Sequence, residues 1–255
     1  MKTRELLLLT PLFLILSHYL AVFPHEFTHS FFAWALGYKD NPLNIQYGGL
    51  SWSNLLLLSN IDEHVDYETI FKTSPFHVAL IAFSGPFIAN GLMFVLSYGL
   101  LQKKYVHDKI YLYYFIFWFN IMNIANLYDY VPIRTFTFVN WDTDMSNLER
   151  GLNISPWVVY VIAGYLIFLL LWQLFVRTIV QAYVYLGLNS VWTRVFLLIL
   201  VVLIIFLYFA QAGLHGYGEI SRFVSITSML ICPLIILINW PEREWVKQAM
   251  ARVAG

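Results

Sequence analysis

The sequence predicts an all-α polytopic membrane protein, with about six transmembrane helices in one domain over 1–255. Two observations carry that expectation. Apolar residues fill 60% of the 255 positions and charged residues 12%, about half the charge of a soluble domain, and mean hydropathy is +0.66. Six segments are also apolar over the roughly 20 residues a helix needs to cross a bilayer. The formal net charge of zero leaves no case for a nucleic-acid partner. The single cysteine, Cys232, excludes an internal disulfide framework.

The first apolar segment, 5–37, follows Lys2 and Arg4 and looks like a signal-peptide core. No small-x-small cleavage site precedes His25 and the apolar run continues past it, so it reads as an uncleaved span. Pro24 is expected to kink this span or to start a new helical segment. The connection 38–75 contains Leu43-Asn44-Ile45-Gln46-Tyr47 before Gly48-Gly49, an alternation that predicts a short β strand or hairpin. Its acidic cluster, Asp62, Glu63, Asp66 and Glu68, reads as a solvated loop. Spans follow at 76–101 and 110–128. The connection 129–155 holds Asp129, Asp142 and Asp144. The last three spans are expected at 156–176, 193–213 and 221–240, the final two joined by the Gly213–Gly218 turn. With the N-terminus inside, ten of the 15 Lys and Arg fall on the inner side and five on the outer, which favours cytoplasmic N- and C-termini.

Within the first span stands His25-Glu26-Phe27-Thr28-His29. Two histidines at i and i+4 share a helix face and can reach one Zn²⁺, with the intervening Glu as general base. Ionisable groups in an apolar span are costly, so they point to function rather than to polar packing between helices. A catalytic zinc takes a third protein ligand. His18 shares the face but lies about 10 Å away along a straight helix, too far to share the ion. It reads as a hydrogen-bonded intramembrane or supporting group. His64, His77, His107 and His215 fall in loops or at span ends, which leaves a carboxylate. Asp142-Thr143-Asp144 also matches the weak DxD pattern of metal- and sugar-nucleotide-dependent glycosyltransferases, a reading that leaves the HExxH unexplained.

The residues resemble the site-2 protease family of intramembrane zinc metalloproteases, whose first core helix reads HExxHxxxAxxxG. His25, Glu26, His29, Ala33 and Gly37 stand in that register, and Ala33 with Gly37 forms a small-xxx-small pair expected to admit a neighbouring helix. The family's second core helix carries Gly-Pro and then Asn at GPxxN; here Gly85-Pro86 is followed by Asn90, one residue later. The third ends in Asn-x-x-Pro and Asp-Gly, or in some relatives Ser-Asp-Gly followed by Asn-Leu and Arg. Thr143-Asp144-Met145-Ser146-Asn147-Leu148-Glu149-Arg150 matches the second form, with Met145 in place of Gly. The resemblance covers about 15–152, a three-helix metalloprotease core over roughly 5–152 with additional C-terminal helices over 153–255.

The resemblance implies Zn²⁺ held by His25, His29 and Asp144, with Asp142 and then Asp129 as runners-up. It implies Glu26 as the acid–base residue, and Asn90 or Asn126 as donor to substrate backbone or oxyanion. The activity implied is regulated intramembrane proteolysis of a membrane-protein substrate, a transmembrane helix unwound in the bilayer. The Leu43–Tyr47 strand is a candidate for capturing the extended peptide. Two other outcomes remain compatible with the residues. One is an inactive membrane adaptor of the same fold. The other is a prenyl-protein-protease type of membrane zinc protease, with Glu149 or Glu219 as third ligand.

Overall fold

The computed structural model describes residues 2–58, 60–137 and 143–254, with side chains within 5–253. It is helical throughout. The helices are α1 (Lys2–Ala35), α2 (Trp52–Leu57), α3 (Tyr67–Thr73), α4 (Pro75–Phe83), α5 (Gly91–Leu101), α6 (Lys104–His107) and α7 (Ile110–Tyr128). They continue with α8 (Asp144–Leu152), α9 (Pro156–Gln173), α10 (Ile179–Tyr185), α11 (Val191–Leu203), α12 (Glu219–Leu230), α13 (Cys232–Ile238) and α14 (Glu244–Ala254). Short π-helical turns join α4 to α5 (Ser84–Asn90) and α9 to α10 (Leu174–Thr178), and others extend α7 (Asp129–Ile133) and α11 (Ile204–Phe209).

Five continuous helical stretches are long and apolar enough to cross a membrane: Glu5–Ala35, Pro75–Leu101, Ile110–Ile133, Pro156–Tyr185 and Val191–Leu214. The sixth expected span is instead a pair, α12 and α13, bent by 41°. Pro233 sits in the first turn of α13; lacking an N–H, it cannot continue the hydrogen-bond ladder of α12.

Ile110–Ile133 is the hub, with 72% of its most apolar window buried against 28% for Pro156–Tyr185. It presents Tyr113, Tyr114, Phe117 and Trp118, all 1% exposed or less, to its neighbours. Thr10 and Tyr114 hydroxyls meet at 2.7 Å between α1 and α7, and Asn120 donates to the Ser97 hydroxyl of α5 at 2.9 Å. The described parts of the connections, 36–58, 60–74, 134–137 and 143–155, and the turn at Tyr217 converge on one end of this bundle, where they line a cleft. The opposite end gathers His107, Tyr113 and Tyr185.

Three local expectations are corrected. Of the two outcomes expected at Pro24, the new helical segment does not form: α1 runs through both Pro11 and Pro24. A prolyl residue removes one ladder bond, and in a long apolar helix the flanking turns and packed neighbours carry it across that gap. Gly37 is not a packing surface, since nothing lies within 4 Å of where its Cβ would be. It has φ +82° and closes α1: Tyr38 N–H donates to Ala33 O at 2.9 Å and Gly37 N–H to Trp34 O at 3.0 Å. That is a Schellman stop, for which glycine has the right freedom. Ala33, by contrast, is fully buried.

The β strand or hairpin expected at Leu43–Tyr47 is absent among the described residues. Only one antiparallel bridge forms, Gln46 to Asp62. The Asn41–Asn44 turn on one side and the positive-φ pair Gly48 and Gly49 on the other leave no room to propagate a ladder.

Candidate metal centre

HExxH lies in the last third of α1, six residues before its end at the nearer histidine. His25 and His29 sit one helical turn apart, with ring centroids at 4.7 Å. Each imidazole is oriented by its Nδ1. That of His29 lies 2.6 Å from Ile81 O, and a carbonyl only accepts, so Nδ1 carries the proton. That of His25 lies 2.8 Å from Asn90 Oδ1. Asn90 Nδ2 donates to Ala21 O at 2.9 Å and Asn123 Oδ1 at 3.1 Å, so its oxygen faces His25 and accepts. Both Nε2 atoms are therefore left as lone-pair donors toward the same point, the arrangement by which outer hydrogen bonds prepare histidine ligands.

Asp144 completes the point. It is the first residue of α8, which is capped by a reciprocal Thr143–Ser146 box. Its Oδ2 lies 3.1 Å from His25 Nε2 and its Oδ1 3.2 Å from His29 Nε2, while the two Nε2 atoms are 3.1 Å apart. Ligands at about 2.0–2.1 Å on a tetrahedral ion are separated by about 3.3 Å, so the spacing fits a metal. His25, His29 and Asp144 are the group among the described residues able to hold a metal ion.

Two glycines set the close approaches. A Cβ on Gly85 would stand 2.1 Å from His29 Nε2 and 2.7 Å from His25 Nε2. Only glycine lets the π turn Ser84–Asn90 pass beside the ligand nitrogens. A Cβ on Gly151 would meet Pro75 O at 2.5 Å and Ala79 N at 2.7 Å, so this glycine lets α8 lie against α4 with Asp144 at its near end. Gly-Pro thus does more than bend a span. The π turn carries one residue more than an α turn, and Asn90 still reaches His25.

The other candidates divide. Asp129 is corrected as a ligand: it accepts from Arg134 Nη2 at 2.7 Å and Nε at 3.1 Å, a bidentate pair that leaves it no share in the trio. Asp142 lies outside the described residues. His18 bonds Leu57 O through Nε2 at 2.9 Å and takes no part in the centre. Neither Glu149 nor Glu219 lines the cleft. Asn90 is brought to the centre, but as the support of His25, with both of its N–H groups and its carbonyl engaged.

The cleft has a volume of about 680 Å³. Tyr130 stacks on His25 with centroids at 4.7 Å, and the Arg134 guanidinium lies 5.1 Å from the Tyr130 ring and 5.3 Å from that of Tyr217. Two members of the first connection, Glu63 and Tyr67, are buried in the cleft wall. The Glu63 carboxyl meets that of Glu26, and Lys39 Nζ holds the Glu63 backbone carbonyl. Glu63 corrects the reading of its cluster as wholly solvated, although Asp62, Asp66 and Glu68 are exposed as expected. Sequence reasoning missed both residues because nothing in their local pattern distinguishes them from a surface loop. No protein-family model, curated protein or solved structure matches this chain.

Proposed function

We propose that this protein is an intramembrane zinc metalloprotease of the site-2 protease type, acting on membrane-embedded or membrane-adjacent protein segments. One observation carries the reading. Two imidazole nitrogens and a carboxylate converge at 3.1–3.2 Å, with the Nδ1 of each imidazole already hydrogen-bonded, and the Glu26 carboxyl faces the same cleft. Three acceptors at that spacing, inside an apolar helix bundle, call for a cation. His25, His29 and Asp144 would hold Zn²⁺, which when bound acidifies water and polarises a carbonyl.

The chain's own groups supply the rest. Glu26 takes a proton from the attacking water as its oxygen bonds to the scissile carbonyl carbon. It returns that proton to the amine as the C–N bond breaks. The cleft opens at the bundle end where the three connections meet, so a substrate helix would present its unwound end there. Against an inactive adaptor stand the π turn, which absorbs the extra residue before Asn90, and Asp144, which reaches both histidines. Both termini belong on the face away from the cleft, cytoplasmic by the distribution of Lys and Arg.

Metal analysis and a cleavage assay on purified protein test the reading together. His29→Ala should lose zinc and activity, whereas Glu26→Gln should retain zinc and lose cleavage. Cleavage by Glu26→Gln at the normal rate would sink the mechanism. An adaptor would show neither stoichiometric zinc nor cleavage.

A further inference from the structure

Amide hydrolysis needs a hydrogen-bond donor aimed at the oxygen on which charge develops. The two asparagines available in sequence are not free to serve. Asn90 has spent every hydrogen-bonding position on Ala21, Asn123 and His25. Asn126 donates to Met122 O and lines a second cavity rather than the cleft. Of the cations around the cleft, Arg134 is gripped by Asp129 and Lys39 donates to Glu63 O.

Tyr67 is different. It opens α3, whose N-cap Asp66 accepts from Thr69 N–H at 3.0 Å, so the side chain projects from a fixed turn. The residue is 6% exposed and lines the cleft with His25, Glu26 and Asp144. Its hydroxyl stands beside the Glu63 carboxyl and in the field of Asp144 and Glu26, yet makes no hydrogen bond of good geometry. Burial first, and then these carboxylates, hold the phenol well above its ordinary value of 10.0. The hydroxyl keeps its proton and remains a neutral donor. A buried hydroxyl without a well-formed hydrogen bond is a cost to folding, and a carbonyl oxygen entering the cleft would remove it.

We propose that Tyr67 donates its hydroxyl hydrogen bond to the scissile carbonyl oxygen as that oxygen becomes an oxyanion. The inference rests on the hydrolase reading above. As the water oxygen bonds to carbon, the C=O π pair moves onto oxygen and the Tyr67 hydrogen bond strengthens. Glu26 holds the water's proton. When the pair returns and the C–N bond breaks, that proton leaves on the amine, and Tyr67 has kept its own throughout.

Tyr67→Phe tests this on the full-length, zinc-loaded protein with a transmembrane-peptide substrate. The variant removes one hydroxyl that makes no hydrogen bond of good geometry, so zinc content should be unchanged and the melting temperature unchanged or raised. KM should hold within about two-fold while kcat falls about 10²–10³-fold. A phosphinic peptide, whose tetrahedral anionic oxygen mimics the developing charge, should lose affinity by a similar factor relative to its parent peptide. Unchanged kcat, or a rise in KM alone, overturns the proposal. Loss of zinc or a lower melting temperature overturns it too, by showing a structural role for the hydroxyl. If the wild-type protein cleaves nothing and binds no phosphinic peptide, the hydrolase reading falls and this proposal with it. Wild-type cleavage matched by Tyr67→Phe removes this proposal alone.

Discussion

The side chains that orient the trio and those buried along α12 solve the problem of a polar group in an apolar bundle differently. Around the trio, polar side chains buried in apolar helices are matched to named partners: His25 to Asn90, His29 to Ile81, Asn90 to Asn123. In α12, Ser221 and Ser225 are fully buried with unpartnered hydroxyls, and the outward faces of α9 carry Val161, Ile162, Tyr165 and Trp172. The difference teaches where precision is needed. A small hydroxyl can be buried at modest cost, whereas two imidazoles and a carboxylate must have their remaining atoms satisfied before they can share an ion. The first is built around a centre, and the second packs against the π turn that extends α7.

Glycines give the sharpest contrast. Gly85→Ala should abolish stoichiometric zinc, because the new methyl would stand 2.1 Å from His29 Nε2. Gly164→Ala in α9 meets nothing within 4 Å and should keep zinc, with stability equal or higher because alanine favours helix. Metal content and melting temperature of both variants check this; zinc retained by Gly85→Ala would break the contrast.

Polar pairs come next. Asn90→Leu removes the acceptor that fixes His25 and should weaken zinc affinity by about 10–100-fold. Gln181→Leu breaks the Gln102–Gln181 pair, whose amides bond at 3.0 Å and 3.3 Å, and should leave zinc affinity unchanged. Competition with a chelator of known affinity measures both.

A third effect is a pH dependence in the helix that Asp144 opens. Burial pushes the Glu149 carboxyl in α8 up to about 8 from 4.5. The folded protein then holds a proton that the unfolded chain has released. Stability from this group is therefore undiminished below pH 4.5, is lost as pH rises toward 8, and stays lost above it. Glu149→Gln should match wild type near pH 4 and exceed its melting temperature at pH 8.5. Parallel melting curves across that range would remove Glu149 as the source.

The smallest effect is expected in α12. Ser225→Ala deletes a hydroxyl without a partner, so melting temperature should hold or rise slightly and zinc should be untouched. A clear loss of stability would show that the serine hydroxyl is satisfied after all.

The residues differed in how far their chemistry showed in sequence. The spans were legible because their apolar character is local and repeats over some twenty positions. His25, Glu26 and His29 were legible because helix geometry fixes i and i+4 on one face. Asp144 was reachable only through a motif, since 115 positions separate it from His29 in the chain. Glu63 and Tyr67 were not legible, because their burial depends on how a long connection folds back over α1. Gly37 and Pro24 show local rules settled by context: the first stopped a helix where packing was expected, and the second failed to break one.

The sequence by itself determined an apolar helical bundle and two members of the three-residue group able to hold a metal ion, because hydropathy and helical periodicity act over a few turns. Only the tertiary structure decided which aspartate joins them, that Asn90 orients His25, and that Glu63 and Tyr67 enter the cleft. Those outcomes depend on distances of a few ångströms between atoms far apart in the chain, set by Gly85 and Gly151 letting backbones approach and by a π turn absorbing one residue.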